Sequence, residues 1–217
     1  MNAIAHTTDH LLLKSAIRVE ILTLVWMTIE ASLSVGAGIQ AGSASLIAFG
    51  VDSVIELVAA GVLLWQLRVQ RAQKSPDDIK RAERIAGWTT SYALLSLCMY
   101  IVAVSAFGLL THTAAESSAI GIAVTAVAAV GMPFLGRRKR TLAGGLRNTA
   151  LRAEAACSIT CGYMAATVLL GLVVNAATGW WWTDSVAALI LLYWLIPETK
   201  EAFESAREGK AGCECGE

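Results

Sequence analysis

The chain has 217 residues, of which 56% are hydrophobic and only 16% charged, with a formal net charge of zero. Soluble domains carry roughly 25% charged residues, so one water-soluble core is excluded unless most of its helices are buried on every side. Several bilayer-spanning helices account for the composition directly, and nothing in the charge balance calls for a nucleic-acid partner.

Along the chain, the first twenty residues hold Asp9, His10, Lys14, Arg18 and Glu20 without a proper apolar core, so no cleavable signal peptide is expected. Six apolar segments follow, at residues 19–39, 43–67, 85–110, 117–135, 153–178 and 182–196, each near the ~20 residues that span a bilayer. The last is short, but Trp180, Trp181, Trp182, Tyr193 and Trp194 suit the interfacial belts at its ends. The expected organisation is a tail at 1–18, a six-helix transport domain at 19–198 and a second tail at 199–217.

Basic residues set the orientation. Lys14 and Arg18 precede the first span; Arg68 to Arg84 fill the second connection; Arg137, Arg138, Lys139, Arg140, Arg147 and Arg152 fill the fourth; Lys200, Arg207 and Lys210 follow the sixth. All 17 Lys and Arg thus fall on one side and none inside a span, which predicts cytoplasmic termini. The short outer connections predict that helices 1 and 2, 3 and 4, and 5 and 6 are antiparallel neighbours. Ser75-Pro-Asp-Asp reads as the start of helix 3, and Asp184 as the N-cap of helix 6.

The chemistry concentrates in the second and fifth spans. Asp52 and Glu56 are one helical turn apart in an otherwise apolar run, and each carboxylate near the bilayer centre costs about 2.5–3.5 kcal/mol. They project from one face and repel unless something positive lies between them, either a divalent cation or a shared proton. Cys157 and Cys161 repeat the same spacing in the fifth span. If the two helices pack together, two carboxylates and two thiolates suit tetrahedral Zn²⁺ or Cd²⁺ and exclude Mg²⁺ and Ca²⁺. The opposing readings are a metal-free proton relay for the acids and simple packing for the thiols. Glu30 adds a third deep acid in the first span, as ligand, as proton carrier, or held against Ser and Thr groups. Cys98 reads as packing, and His112 and Glu116 as a solvated outer loop. Cys213 and Cys215 form a tail pair able to capture a thiophilic metal, and no structural disulfide is expected on the reducing side.

With these residues the chain resembles the cation diffusion facilitators, over roughly residues 14–205. Residues 46–56 are similar to the family's helix-2 motif, with Asp52 and Glu56 in the liganding places. Residues 151–161 are similar to its helix-5 motif, with Cys157 in the His place and Cys161 in the Asp place, and residues 182–188 resemble the start of its sixth helix. The resemblance implies an all-α integral membrane protein with six transmembrane helices and cytoplasmic termini. It implies Zn²⁺ or Cd²⁺ efflux by metal/proton antiport, with no cofactor, and a homodimer in the inner or plasma membrane. The chain stops before the family's cytoplasmic ferredoxin-like domain and so is similar to the short branch that lacks it. In that branch an acid of helix 1 takes a ligand place and helix 5 need not supply one, which keeps Glu30 as a candidate. The double cysteine leaves the family's proton-accepting His missing and shifts the expected preference toward softer ions. Two rival functions stand beside this one: a proton-coupled exporter of organic cations, and a non-transporting metal-sensing membrane subunit. No nucleophile and base converge at a water-accessible face, so no enzyme is expected.

Overall fold

The computed structural model describes residues 2–72, 76–112, 115–146 and 148–208. They form six helices: α1 (Asn2–Ala41), α2 (Ala44–Ala72), α3 (Pro76–Thr111), α4 (Ala119–Leu146), α5 (Thr149–Thr178) and α6 (Thr183–Glu208). Pro76 opens α3 as expected, since its fixed φ suits the first helical position. Ser75, Cys213 and Cys215 lie outside the described residues.

By length and composition, five helices can cross a membrane: Leu11–Ala41, Ala44–Trp65, Ser91–Thr111, Ala119–Leu146 and Glu154–Thr178. The sixth, α6, is long enough but carries Glu198, Lys200, Glu201, Glu204 and Arg207 in its second half. The bundle is apolar outside and carries charged side chains within its apolar core. Val25, Ile29, Met99, Phe107, Val130, Phe134 and Leu170 are exposed, whereas Glu20, Glu30, Asp52, Glu56, Lys139 and Glu154 are buried. Water would penalise that exposed surface, and hydrocarbon does not. The protein is a multi-pass integral membrane protein.

Small residues let the helices approach closely. A Cβ at Gly38 would lie 2.9 Å from the backbone nitrogen of Ile47, and one at Gly50 would lie 2.8 Å from that of Val35. This fixes the register of the α1–α2 hairpin, whose turn needs Gly42 at φ 63°. On the other side of the bundle, a Cβ at Gly136 would meet the Ala155 carbonyl oxygen at 2.8 Å, fixing α4 against α5. The helices α1, α2, α4 and α5 form a four-helix core, and α3 pairs with α6 along its α2 side.

That arrangement corrects one expectation. Helices α3 and α4 follow each other in sequence, but α3 packs on α6 and α2 while α4 packs on α5 and α1. The connection between them crosses the end of the bundle instead. It is pinned there by the Glu116 N–H to the Ala41 carbonyl (2.7 Å) and by Asn175 Nδ2 to the Ala115 carbonyl (2.9 Å). Asp184 is a second correction. It lies inside the first turn of α6 but accepts from Ala44 N (2.6 Å), Ser43 Oγ (2.5 Å) and Ser45 Oγ (2.6 Å), so it caps α2 and not its own helix.

Lys139 is the third. The apolar run ends near Leu135, yet α4 continues to Leu146, because Pro133 removes one backbone donor without stopping the helix. Lys139 is therefore not in a solvated connection. It is fully buried, with Nζ 3.2 Å from Glu20 Oε2 of α1 and 3.1 Å from Glu154 Oε1 of α5. A buried lysine is tolerated because its ammonium donates to Glu154 Oε1 and to Ser158 Oγ at 3.2 Å and forms an ion pair with Glu20.

Replacing Gly136 by Val should lower the unfolding free energy in detergent by about 1–3 kcal/mol, the usual cost of overpacking. At Gly131 of the same helix a Cβ would meet open space, with no neighbour within 4 Å, so Gly131→Ala should be near neutral. Equal stability of the two variants would contradict the α4–α5 contact. Asp184→Ala, which orphans the first donors of α2, should cost about 2–4 kcal/mol, with Asp184→Asn recovering part of it. Denaturant titration of the purified protein measures both.

Candidate metal centre

Each helix brings its acid to the bundle interior by simple register. At about 1.5 Å per residue, Asp52 lies about 14 Å below Ser43, near mid-depth, and Glu56 one turn further on. The α1–α2 hairpin sets Glu30 opposite Ser53, the residue after Asp52. Glu30 Oε1 accepts from Ser53 Oγ at 2.7 Å, and Glu30 Oε2 accepts from Trp26 Nε1 at 2.6 Å. Glu30 is thus held by neutral donors on both oxygens and is fully buried.

From the other side α5, which packs on α2, brings the Cys161 thiol to the same place. Its Sγ donates to Glu30 Oε1 at 3.8 Å and also faces Glu56. Cys157 is buried one turn away on the same helix. The structure therefore draws Glu30, Asp52, Glu56 and Cys161 from three helices toward one region of the interior.

The electrostatics are unbalanced. Asp52 and Glu56 are 1% and 6% exposed, and none of their four carboxylate oxygens makes a well-formed hydrogen bond. A buried carboxylate without donors is normally excluded from folded proteins. No Lys or Arg among the described residues counters them: Lys139 is committed to Glu20 and Glu154. In this conformation no three His, Cys, Asp or Glu side chains among the described residues are close enough to cage an ion. We call this enclosed group of acids the chamber; a divalent cation or protons would relieve the repulsion within it.

One acid of the chamber escapes the sequence reading. Glu198, on α6 just after Pro197, is buried and within electrostatic range of both Asp52 and Glu56. It follows the apolar run and stands among Lys200, Glu201 and Glu204, so it reads as part of a solvated tail. Its neighbour Thr199 meets Cys98 Sγ at 3.6 Å, which places that thiol at the α3–α6 seam, within electrostatic range of Asp52 and Glu198. His112 and Glu116 are exposed on the far connection, the His112 ring lying 4.2 Å from that of Trp181.

A helical bundle with lipid-facing apolar surfaces and uncompensated acids at mid-depth is the architecture of a membrane transporter for cations. The comparison with protein families agrees. The Cation efflux transmembrane domain matches residues 21–208, most of the chain, and the protein belongs to that family of cation efflux transporters. No curated relative matches the chain.

Proposed function

We propose that the protein exports divalent transition-metal ions, Zn²⁺ or Cd²⁺, with Asp52, Glu56, Glu30 and Cys161 as the inner ligands and Cys157 as a further thiol donor. The observation that carries this reading is the Asp52–Glu56 pair, buried, one helical turn apart, and without a well-formed hydrogen bond or a neutralising basic residue among the described residues. A divalent ion supplies both missing charges at once. Mixed carboxylate and thiolate donors favour a borderline or soft ion over Mg²⁺ or Ca²⁺. The exported organic cations of the rival reading prefer the faces of aromatic rings. Trp26, the aromatic residue hydrogen-bonded in the chamber, turns its N–H edge to Glu30.

The mechanism is alternating access. The side chains close on an ion entering from the cytoplasm, where the basic end of the bundle and both termini lie, and the helices rock to release it on the other side. Ligands bind metal only when deprotonated, so loading expels protons and release takes them up, which couples export to inward proton movement. The working unit is a homodimer.

In proteoliposomes, Asp52→Asn and Glu56→Gln should each lower metal-dependent flux by more than about tenfold while the protein keeps its fold. Wild-type Zn²⁺ and Cd²⁺ flux in Asp52→Asn would end this reading. Loading the detergent-solubilised protein in a weakly buffered solution should release protons, seen with an indicator dye and lost in the same variant. The Cys157→Ser/Cys161→Ser variant should shift the Cd²⁺ to Zn²⁺ ratio toward Zn²⁺ by about threefold or more, because hydroxyl oxygen is harder than thiolate. An unchanged ratio would make the thiols packing residues.

A further inference from the structure

The Lys139 cluster lies apart from the Asp52–Glu56 pair and sets two carboxylates against one ammonium. Two carboxylates, Glu20 and Glu154, share one ammonium at 3.2 and 3.1 Å. With all three groups ionised, a charge of −1 remains in a fully buried place. Glu20 Oε1 faces no donor, and Glu20 itself is 0% exposed. A purely structural tie between α1 and α4 would need one carboxylate, and a second charge buried beside it adds desolvation cost.

Position gives the cluster its meaning. Glu20 precedes Glu30 by ten residues on α1, about 15 Å along the axis, and Glu154 precedes Cys161 by seven on α5, about 10 Å. Both displacements run toward the basic end of the bundle. The cluster thus stands between that end and the Asp52–Glu56 chamber, and Glu154 is in electrostatic range of Glu56.

We propose that Glu20, Glu154 and the Ser158 hydroxyl form a second cation station, at which the Lys139 ammonium holds the place of a divalent transition-metal ion until one arrives. Three oxygens from two helices already surround a cationic nitrogen at 3.1–3.2 Å. Carboxylate–zinc distances are about 2.0–2.2 Å, so each donor moves in by roughly an ångström when the metal replaces the ammonium. The exchange removes the residual negative charge, since a dication balances both carboxylates. Lys139 has somewhere to go: its flexible four-carbon stem lies one turn or less from Arg137, Arg138 and Arg140, all exposed at the basic end. As a step on the entry route this station rests on the proposed function, but as a binding site it does not depend on Asp52 or Glu56.

The test therefore uses full-length protein carrying Asp52→Asn and Glu56→Gln, in which the chamber is disabled. Zn²⁺ should raise the rate at which an amine-acetylating reagent modifies Lys139, read by peptide mass spectrometry, by about tenfold or more, because the ammonium leaves its buried seat. In the same background Lys139→Gln should tighten Zn²⁺ binding by about tenfold in calorimetric titration, and adding Glu154→Gln should abolish it. Unchanged Lys139 labelling at saturating Zn²⁺ would overturn the proposal and leave the cluster as a structural tie. Labelling is measured with Lys139 in place, so it decides the matter even if Lys139→Gln does not fold. Retained flux in Asp52→Asn alone would sink the transport reading without touching this result.

Discussion

The structure is organised around negative charge that has nowhere to discharge. Three grades of the problem occur within one bundle. Glu20 and Glu154 are buried against an ammonium, Glu30 is buried against an indole N–H and a hydroxyl, and Asp52 and Glu56 are buried against neither. The first two are familiar ways of stabilising a buried carboxylate. The third is rare in a helix that lies within hydrocarbon, and the proposed passage of a metal ion would account for it.

The rest of the fold serves to hold those acids inside one bundle. Glycine contacts bring α1 onto α2 and α4 onto α5 so closely that side-chain register is fixed by backbone touching backbone. At one end, Asp184 ties the start of α2 to α6; at the other, Lys139 ties α4 to α1 and α5. Both ties are polar and local, and between them the acids and the Cys161 thiol lie within an otherwise apolar core. Two latched ends around a repelling centre suit the alternating access proposed above.

Much of this was legible in the residues. The helical spans follow from apolar runs, and Asp52, Glu56 and Glu30 stand out because a charge inside such a run is rare. The convergence of Cys161 on the acids follows from matching i, i+4 spacings once α2 and α5 pack. What escaped did so for definable reasons. Lys139 sits in Arg137-Arg-Lys-Arg140, and a run of four bases reads as solvated; only the third dimension shows that one of them faces inward, toward carboxylates on two other helices. Glu198 is hidden likewise, among charges that follow the last apolar run. The pairing of α3 with α6 depends on side-chain fit between distant segments, and a connection's length does not encode that.

That pairing bears on how the chain is assembled as it leaves the ribosome. Helix α3 is the most apolar and least buried of the five spans, and its main partner, α6, is made only after α4 and α5. Until then it has only α2 to pack on, so its own partition into lipid carries much of its placement. Helix α6 has the opposite constitution, with too many charges to enter on its own merit, but it arrives when a waiting surface of Trp88, Tyr92 and Cys98 is ready to receive Phe203 and Thr199. The early helix lends its solubility in lipid to the late one, which can then carry an acid into the membrane interior.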